Sequence, residues 1–99
     1  MAKIEIDRRA LANFCRTNKI GKMALFGSVL RDDFGPDSDV DLLVIFEPGA
    51  MVGLFDISRM ELELSSLFGG RKVDLRTPGD LGRYMRDRVV ASAESVYAA

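Results

Sequence analysis

The run from Val40 to Phe46 limits the possible folds more than any other segment of this sequence. Six of its seven residues are apolar, and only Asp41 interrupts it. A strand that is apolar on both faces is typical of a central position in a sheet that is covered on both sides. This segment therefore predicts a central, buried strand, for which the rest of the chain must supply neighbouring strands and covering helices.

Two further strands, with a helix before the last of them, are predicted around this run. Met23–Phe26 is a short apolar run that ends at a glycine and predicts the first strand. Arg71–Arg76 alternates apolar and charged residues, which is typical of a strand with one buried face. The stretch before it carries an apolar stripe at helical spacing, which predicts a helix. The members of this stripe are Ile57, Met60, Leu64 and Leu67.

Both ends of the chain are predicted to be helical. Asp7 is a suitable capping residue for a first helix, with Leu11, Phe14 and Cys15 on its apolar face. Near the other end, a threonine, a proline and then an aspartate three residues after the threonine resemble the cap of a last helix. The cap is Thr77-Pro78 with Asp80, and the expected buried stripe is Leu81, Met85, Val89 and Val96.

Strands separated by helices indicate an α/β fold. The link between Val40–Phe46 and Arg71–Arg76 has room for a helical crossover, so these two strands are expected to be parallel. The shorter link from Met23–Phe26 favours an antiparallel pair. We therefore expect a small mixed β-sheet with flanking helices, and 99 residues suffice for one domain, 1–99.

The composition excludes several kinds of chemistry. There is no histidine and one cysteine, Cys15, which excludes an intrachain disulfide, histidine-dependent catalysis and a cysteine-rich zinc site. Any bound metal must therefore have oxygen ligands. The net charge of −1 disfavours general nucleic-acid binding. No apolar run reaches the roughly 18 residues of a membrane span, and no signal segment is visible, so a cytoplasmic protein is expected.

Three aspartates are the candidate catalytic residues. Asp39 and Asp41 are two positions apart at the start of the central strand, so both carboxylates are predicted to project from one face. Asp74 interrupts the third strand and would reach the same region if the two strands are neighbours. Carboxylates and substrate phosphates are the ligands that Mg²⁺ prefers, and two such ions would serve an in-line phosphoryl transfer. The alternatives are a solvated loop for the first pair and an ion pair of Asp74 with Lys72 or Arg76.

Gly27 and Ser28 are the candidate phosphate-binding residues. A strand that ends in Gly-Ser and enters a helix presents backbone N–H groups to phosphate oxygens. The glycine permits close approach, and the serine adds a hydroxyl donor. The alternative is that this pair is an ordinary turn.

These segments together resemble the minimal nucleotidyltransferase (MNT) family of the polymerase-β-like nucleotidyltransferase superfamily. The resemblance extends from about Met23 to Tyr97 and implies the fold of that superfamily. It is carried by Phe26-Gly27-Ser28-Val29-Leu30-Arg31, by Ser38-Asp39-Val40-Asp41-Leu42-Leu43-Val44 and by Val73-Asp74-Leu75.

The resemblance also implies a role for each site residue. Asp39 and Asp41 match the metal ligands of the family, and Asp74 matches a third carboxylate that helps to activate the acceptor hydroxyl. Gly27 and Ser28 match the Gly-Ser that holds the nucleoside triphosphate. Arg31 matches an arginine that contacts phosphate, with pairing to Asp32 or Asp33 as the alternative.

Family members are similar to antitoxins that transfer AMP from ATP to a tyrosine of a HEPN-domain ribonuclease toxin. The resemblance therefore implies a protein adenylyltransferase that uses ATP and Mg²⁺ and has a HEPN partner, without direct nucleic-acid or membrane binding. We also expect a separate acceptor because 99 residues leave no room for an acceptor domain. A binding-only antitoxin and a small-molecule nucleotidyltransferase that dimerises are the alternatives, so a homo-oligomer is left open.

Two surface features have less specific interpretations. Arg83, Arg86 and Arg88 are interpreted as a solvated helix face that an acidic partner could use. The apolar residues after the central strand are expected to pack under the following helix or, alternatively, to face a partner. These residues are Met51, Val52, Leu54 and Phe55.

Overall fold

A computed structural model describes residues 4–31, 34–35 and 37–99. It contains three α-helices, two short 3-10 turns and four strands within those ranges. In chain order these are α1 (Arg8–Thr17), β1 (Ile20–Phe26), the first 3-10 turn (Gly27–Leu30), β2 (Val40–Phe46), α2 (Leu54–Leu67), β3 (Val73–Arg76), the second 3-10 turn (Pro78–Asp80), α3 (Arg83–Ser92) and β4 (Glu94–Ala98).

The strands form one mixed sheet in the order β3-β2-β1-β4. β1 is antiparallel to both β2 and β4, whereas β2 and β3 are parallel. The predicted directions of the three expected strands are confirmed, and so is the central position of β2. The mixed α/β architecture with flanking helices is confirmed as well.

The main core lies on one face of β2. Val40, Leu42 and Val44 are completely buried there, because α1 and α2 pack their apolar stripes against this face. Asp7 caps α1 as predicted, since its carboxylate accepts a hydrogen bond from the N–H of Ala10 at 3.1 Å. The predicted burial of this face of β2 and the predicted cap of α1 are therefore confirmed.

The opposite face of β2 is covered less completely than its sequence predicts. Leu43 is buried, but Ile45 is 46% exposed. Val90 of α3 lines a groove beside both residues and is itself half exposed. The prediction of cover on both faces is therefore right for the start of β2 and wrong for its end.

The end of the chain differs most from the prediction. Val96 belongs to a strand, β4, and not to the last helix. The Thr77–Asp80 cap closes the second 3-10 turn, and α3 begins only at Arg83. A helix that continued to residue 96 would leave the free edge of β1 unpaired, whereas β4 pairs with that edge.

The apolar residues after β2 do not pack under the following helix, and Leu54 and Phe55 instead form the exposed start of α2. Met51, Leu54 and Phe55 are almost fully exposed, and of these four residues only Val52 is partly buried against the core.

In the part of the chain that the structure describes, no helix combines the length and apolar character that crossing a membrane requires.

Candidate functional site

The sheet brings the three predicted aspartates together. Asp41 of β2 lies opposite Asp74 of β3 in the parallel register. Their neighbours Leu42 and Leu75 are buried in the core, so the two carboxylates lie on the other side of the sheet. Asp39 and Asp41 line the same cavity, as their spacing predicts.

The surroundings of Asp41 disfavour its ionised form. Partial burial raises the pKa of this carboxyl, and the negative charges of Asp74 and then Asp39 raise it further. Arg76 and Arg31 act in the opposite direction but do not reverse the shift. This part of the protein is therefore a half-buried region of negative potential, which a bound cation would stabilise.

The ion-pair alternative for Asp74 is not observed. Lys72 lies 3.9 Å from a carboxylate oxygen of Asp39 instead, and both side chains are well exposed. Such an exposed pair contributes little to stability. Within the described ranges, Asp74 has no ion pair with Lys72 or Arg76.

Gly27 lies directly against the acidic group. Its φ is +73°, which places it in the left-handed region that favours glycine. A Cβ atom at this position would approach a carboxylate oxygen of Asp41 to 2.5 Å, because Phe26 pairs with Asp41 across β1 and β2. Both the backbone conformation and the close approach therefore require glycine at this turn.

Ser28 connects this turn to the start of β2. Its hydroxyl donates a hydrogen bond to the backbone carbonyl of Asp39 at 3.3 Å. Val29 is buried in the core and anchors the turn from the other side. Gly27, Ser28 and Arg31 all line the cavity with Asp39 and Asp41. The alternative pairing of Arg31 with Asp32 or Asp33 lies outside the described residues.

Arg71 is a structural residue that the sequence analysis did not identify. Its guanidinium donates to the carbonyls of Gly35 and Ser38, at 2.6 Å and 3.5 Å, and stacks 4.5 Å from the ring centre of Phe34. These contacts hold the segment that leads into Asp39. The sequence offered one weak signal, because Arg71 begins the segment predicted as the third strand; in the structure it lies two residues before β3, which pairs with β2.

The cavity has a volume of about 820 Å³, which is within the usual range for small-molecule sites. One wall comes from the end of β1 with the turn that follows it and from the residues that lead into β2, and the other comes from α3. Asp74 does not line it and is instead the strand neighbour of Asp41. The residues of the α3 wall, which the sequence analysis did not assign to a site, are Met85, Arg88, Val89 and Ser92.

A family model for the nucleotidyltransferase domain matches residues 8–96. The chain belongs to this nucleotidyltransferase family. It is 31% identical over 92 residues to a Methanocaldococcus jannaschii protein named as a candidate protein adenylyltransferase (MJ0435). That match covers 93% of this chain and 95% of the relative. The protein is therefore a nucleotidyltransferase.

Solved structures confirm the minimal-nucleotidyltransferase resemblance and the polymerase-β-like fold. A structure described as a candidate minimal nucleotidyltransferase is 35% identical, with a TM-score of 0.69, over 89% of this chain and 85% of that one. A toxin–antitoxin structure with AMP-PNP has a TM-score of 0.75 at 19% identity, over 95% of this chain and 75% of that one. A complex of a tri-AMPylated Shewanella oneidensis HEPN toxin with an MNT antitoxin has a TM-score of 0.67 at 19% identity, over 93% of this chain and 70% of that one. The last two similarities concern the fold.

The acidic residues of this nucleotidyltransferase suit a hard cation. Within the described ranges, no three acidic or cysteine side chains are arranged to coordinate one ion as they stand. Mg²⁺, however, usually takes only one or two protein carboxylates and completes its shell with phosphate oxygens and water. Asp39 and Asp41, on one cavity wall, therefore match this ion in type and number.

Proposed function

We propose that this nucleotidyltransferase is an antitoxin that transfers AMP from ATP to a tyrosine hydroxyl of a HEPN-domain ribonuclease toxin. The observation that carries the proposal is the placement of Asp41 beside Asp74 and against Gly27. It puts a carboxylate group next to a turn suited to phosphate. The names of the M. jannaschii relative and of the toxin–antitoxin structures support the choice of a protein acceptor.

We assign the nucleotide to the cavity that Gly27, Ser28 and Arg31 line. The backbone at Gly27 permits the polyphosphate to approach closely, and Arg31 contributes a cationic contact. Asp39 and Asp41 would hold Mg²⁺, with Asp74 completing a site for two ions. Bound there, the metal would neutralise phosphate charge and polarise the α-phosphate.

The reaction requires an acceptor hydroxyl close to the α-phosphate. We propose that Asp74 accepts the proton of this hydroxyl or orients it, since Asp74 lies beside Asp41 and outside the cavity lining. The hydroxyl oxygen forms a bond to the α-phosphorus, the bond to the bridging oxygen breaks, and pyrophosphate leaves. A docked partner holds the tyrosine in position, and this proximity is a large part of the rate enhancement.

The test is to incubate the protein with ATP, Mg²⁺ and its HEPN partner and to measure intact masses and ribonuclease activity. We expect the partner to gain mass in steps of one AMP and to lose ribonuclease activity. α,β-Methylene-ATP is the matched control, because it can bind but cannot release pyrophosphate. Asp39→Asn should prevent the gain of mass while the fold is retained. Asp87→Asn, which changes an exposed aspartate on α3, should have no effect.

Two outcomes of these measurements would contradict the proposal. If the partner is inhibited in a tight complex but gains no mass with ATP, the binding-only antitoxin is the correct account. If AMP is transferred to a small molecule and not to the partner, the acceptor assignment is wrong.

Asp74→Asn tests the role of the third carboxylate. We expect slower transfer with nearly unchanged ATP affinity, because the assigned role concerns the acceptor side. Loss of ATP affinity in proportion to the loss of rate would contradict this assignment. A melting curve on the same sample shows whether the fold is retained.

A further inference from the structure

One face of α3 forms the wall of the cavity opposite the acidic strand. Met85, Arg88, Val89 and Ser92 line it, and their spacing of three, four and seven residues places them on one side of the helix. Asp41 of β2 and Asp39, which lies immediately before this strand, line the same cavity. Any ligand that fills the cavity therefore contacts both walls.

Packing alone does not account for the composition of this face. Val89 is the one residue of α3 that is buried, and Met85 is 53% exposed. α3 is also held by Arg86, which donates to the carbonyl of Pro78 at 2.8 Å. The residues that face the cavity are thus largely accessible to a ligand.

Arg88 is the cationic residue of this wall. Its side chain is exposed, and no hydrogen bond or ion pair to its guanidinium is found among the described residues. The hydroxyl of Ser92 is already satisfied, since it donates to the backbone carbonyl of Arg88 at 3.0 Å. Arg88 is therefore the group on α3 that is available to bind an anion.

The charges of the cavity indicate which anion. The lining contains three carboxylates, from Asp37, Asp39 and Asp41, and two guanidinium groups, from Arg31 and Arg88. A polyphosphate near those carboxylates is repelled unless cations compensate for the charge. A planar guanidinium suits phosphate oxygens because it can donate two parallel hydrogen bonds.

We propose that Arg88 binds the polyphosphate of the nucleoside triphosphate, so that α3 supplies the second wall of the nucleotide site. This inference rests on the proposed function only in taking a nucleoside triphosphate as the ligand. It assigns a binding role to a helix that none of the predicted site residues occupies.

The test measures calorimetric affinity for Mg²⁺ with α,β-methylene-ATP, and separately for AMP. Arg88→Ala should weaken binding of the triphosphate analogue about tenfold or more and leave AMP affinity nearly unchanged. Arg88→Lys should be intermediate, because lysine keeps the charge but loses the planar fork. Arg83→Ala removes the same charge from the same helix outside the cavity lining and should bind like the wild type.

The outcomes separate this inference from the proposed function. Equal affinities of Arg88→Ala and Arg83→Ala for the analogue would overturn the role of Arg88 and leave the proposed function standing. Equal losses for the analogue and for AMP would also overturn it, because they indicate a displaced helix. A wild type that binds no nucleotide would overturn both proposals. Binding that depends on Arg88, without transfer to a HEPN partner, would overturn the proposed function alone.

Discussion

At the scale of single residues, Gly27 is under two constraints: its backbone is in the left-handed conformation, and it lies against the carboxylate of Asp41. Gly27→Ala should destabilise the fold by about 1 to 2 kcal/mol, because the left-handed conformation is unfavourable for alanine. It should also abolish nucleotide binding, because the new Cβ would displace the carboxylate of Asp41. Urea denaturation and calorimetry measure the two effects.

Gly69→Ala is the matched control for this substitution. Gly69 has a φ of +70°, close to that of Gly27, but a Cβ added there would meet no heavy atom within 4 Å beyond its chain neighbours. The Gly69→Ala variant should therefore lose about as much stability as Gly27→Ala while keeping its affinity for nucleotide. Equal loss of nucleotide binding in both variants would mean that the contact between Gly27 and Asp41 is not important.

Asp41 is expected to lower the stability of the free protein at neutral pH. Its pKa is raised in the folded state by burial and by the charges of Asp74 and Asp39. The fold is thus favoured while Asp41 is protonated, and stability is lost as the pH rises through the raised pKa. Asp41→Asn should therefore raise the melting temperature at neutral pH and abolish transfer.

The pH dependence distinguishes this explanation from a general effect of lost charge. The difference in melting temperature between Asp41→Asn and the wild type should shrink as the pH falls below the pKa of Asp41. Asp87→Asn, in an exposed position on α3, should show no such difference. A wild type that is more stable than Asp41→Asn at neutral pH would contradict the prediction.

At the scale of elements, β3 is a short edge strand with a specific partner. The N–H of Leu75 donates to the carboxylate of Glu61 on α2 at 2.8 Å. Glu61→Ala should cost about 1 kcal/mol, since this backbone donor then loses its partner. In a domain of this size that is a fall of roughly 4 to 8 °C in melting temperature.

Glu63→Ala is the control for the edge contact. Glu63 is on the same helix and pairs with Arg59 at 3.1 Å, but about half of each side chain is exposed. Its removal should change the melting temperature little, because exposed pairs of this kind contribute little. If Glu63→Ala destabilises the protein as much as Glu61→Ala, the strand-edge contact has no special importance.

The same scale shows where local patterns were insufficient. The helical stripe of α2 and the run of β2 were predictable because the buried residues of each follow the period of their own element. Met60 and Leu64 of α2 are four residues apart, and Val40, Leu42 and Val44 alternate along β2. The end of the chain was not, because Val89 and Val96 are both buried but belong to different elements. Their spacing of seven fits a helix as well as it fits a helix followed by a strand.

At the scale of the whole molecule, the cavity joins segments that are far apart in the sequence, so its occupation should stabilise the entire fold. Mg²⁺ with ATP should raise the melting temperature, by an amount equivalent to about 2.7 kcal/mol when the ligand is at about one hundred times its Kd. ATP with EDTA should have much less effect, because the carboxylates then repel the polyphosphate.

Variants that lack the acidic group make this prediction specific. Asp39→Asn should lose most of the stabilisation by Mg²⁺ with ATP, whereas Asp87→Asn should retain it. Equal stabilisation with and without Mg²⁺ in the wild type would contradict a metal-dependent nucleotide site. Thermal scans at matched ionic strength are the measurement.

The sequence by itself determined the order and type of the elements up to β3, the pairing directions of three strands and the shared face of Asp39 and Asp41. These follow from short-range periodicity, because side chains alternate along a strand and recur every three or four residues along a helix. The bounds were less exact, because β1 begins at Ile20 and β3 at Val73. The Gly-Ser and Asp-x-Asp motifs could also be recognised from the sequence, because each consists of residues that are adjacent or nearly adjacent in the chain.

Only the tertiary structure decided the placement of Asp74 opposite Asp41, the pairing of β4 with β1, and the presence of Arg88 in the cavity wall. Each of these depends on strand register or on how a helix packs across the sheet. Register and packing depend on contacts between residues that are distant in the sequence, and local patterns therefore do not specify them.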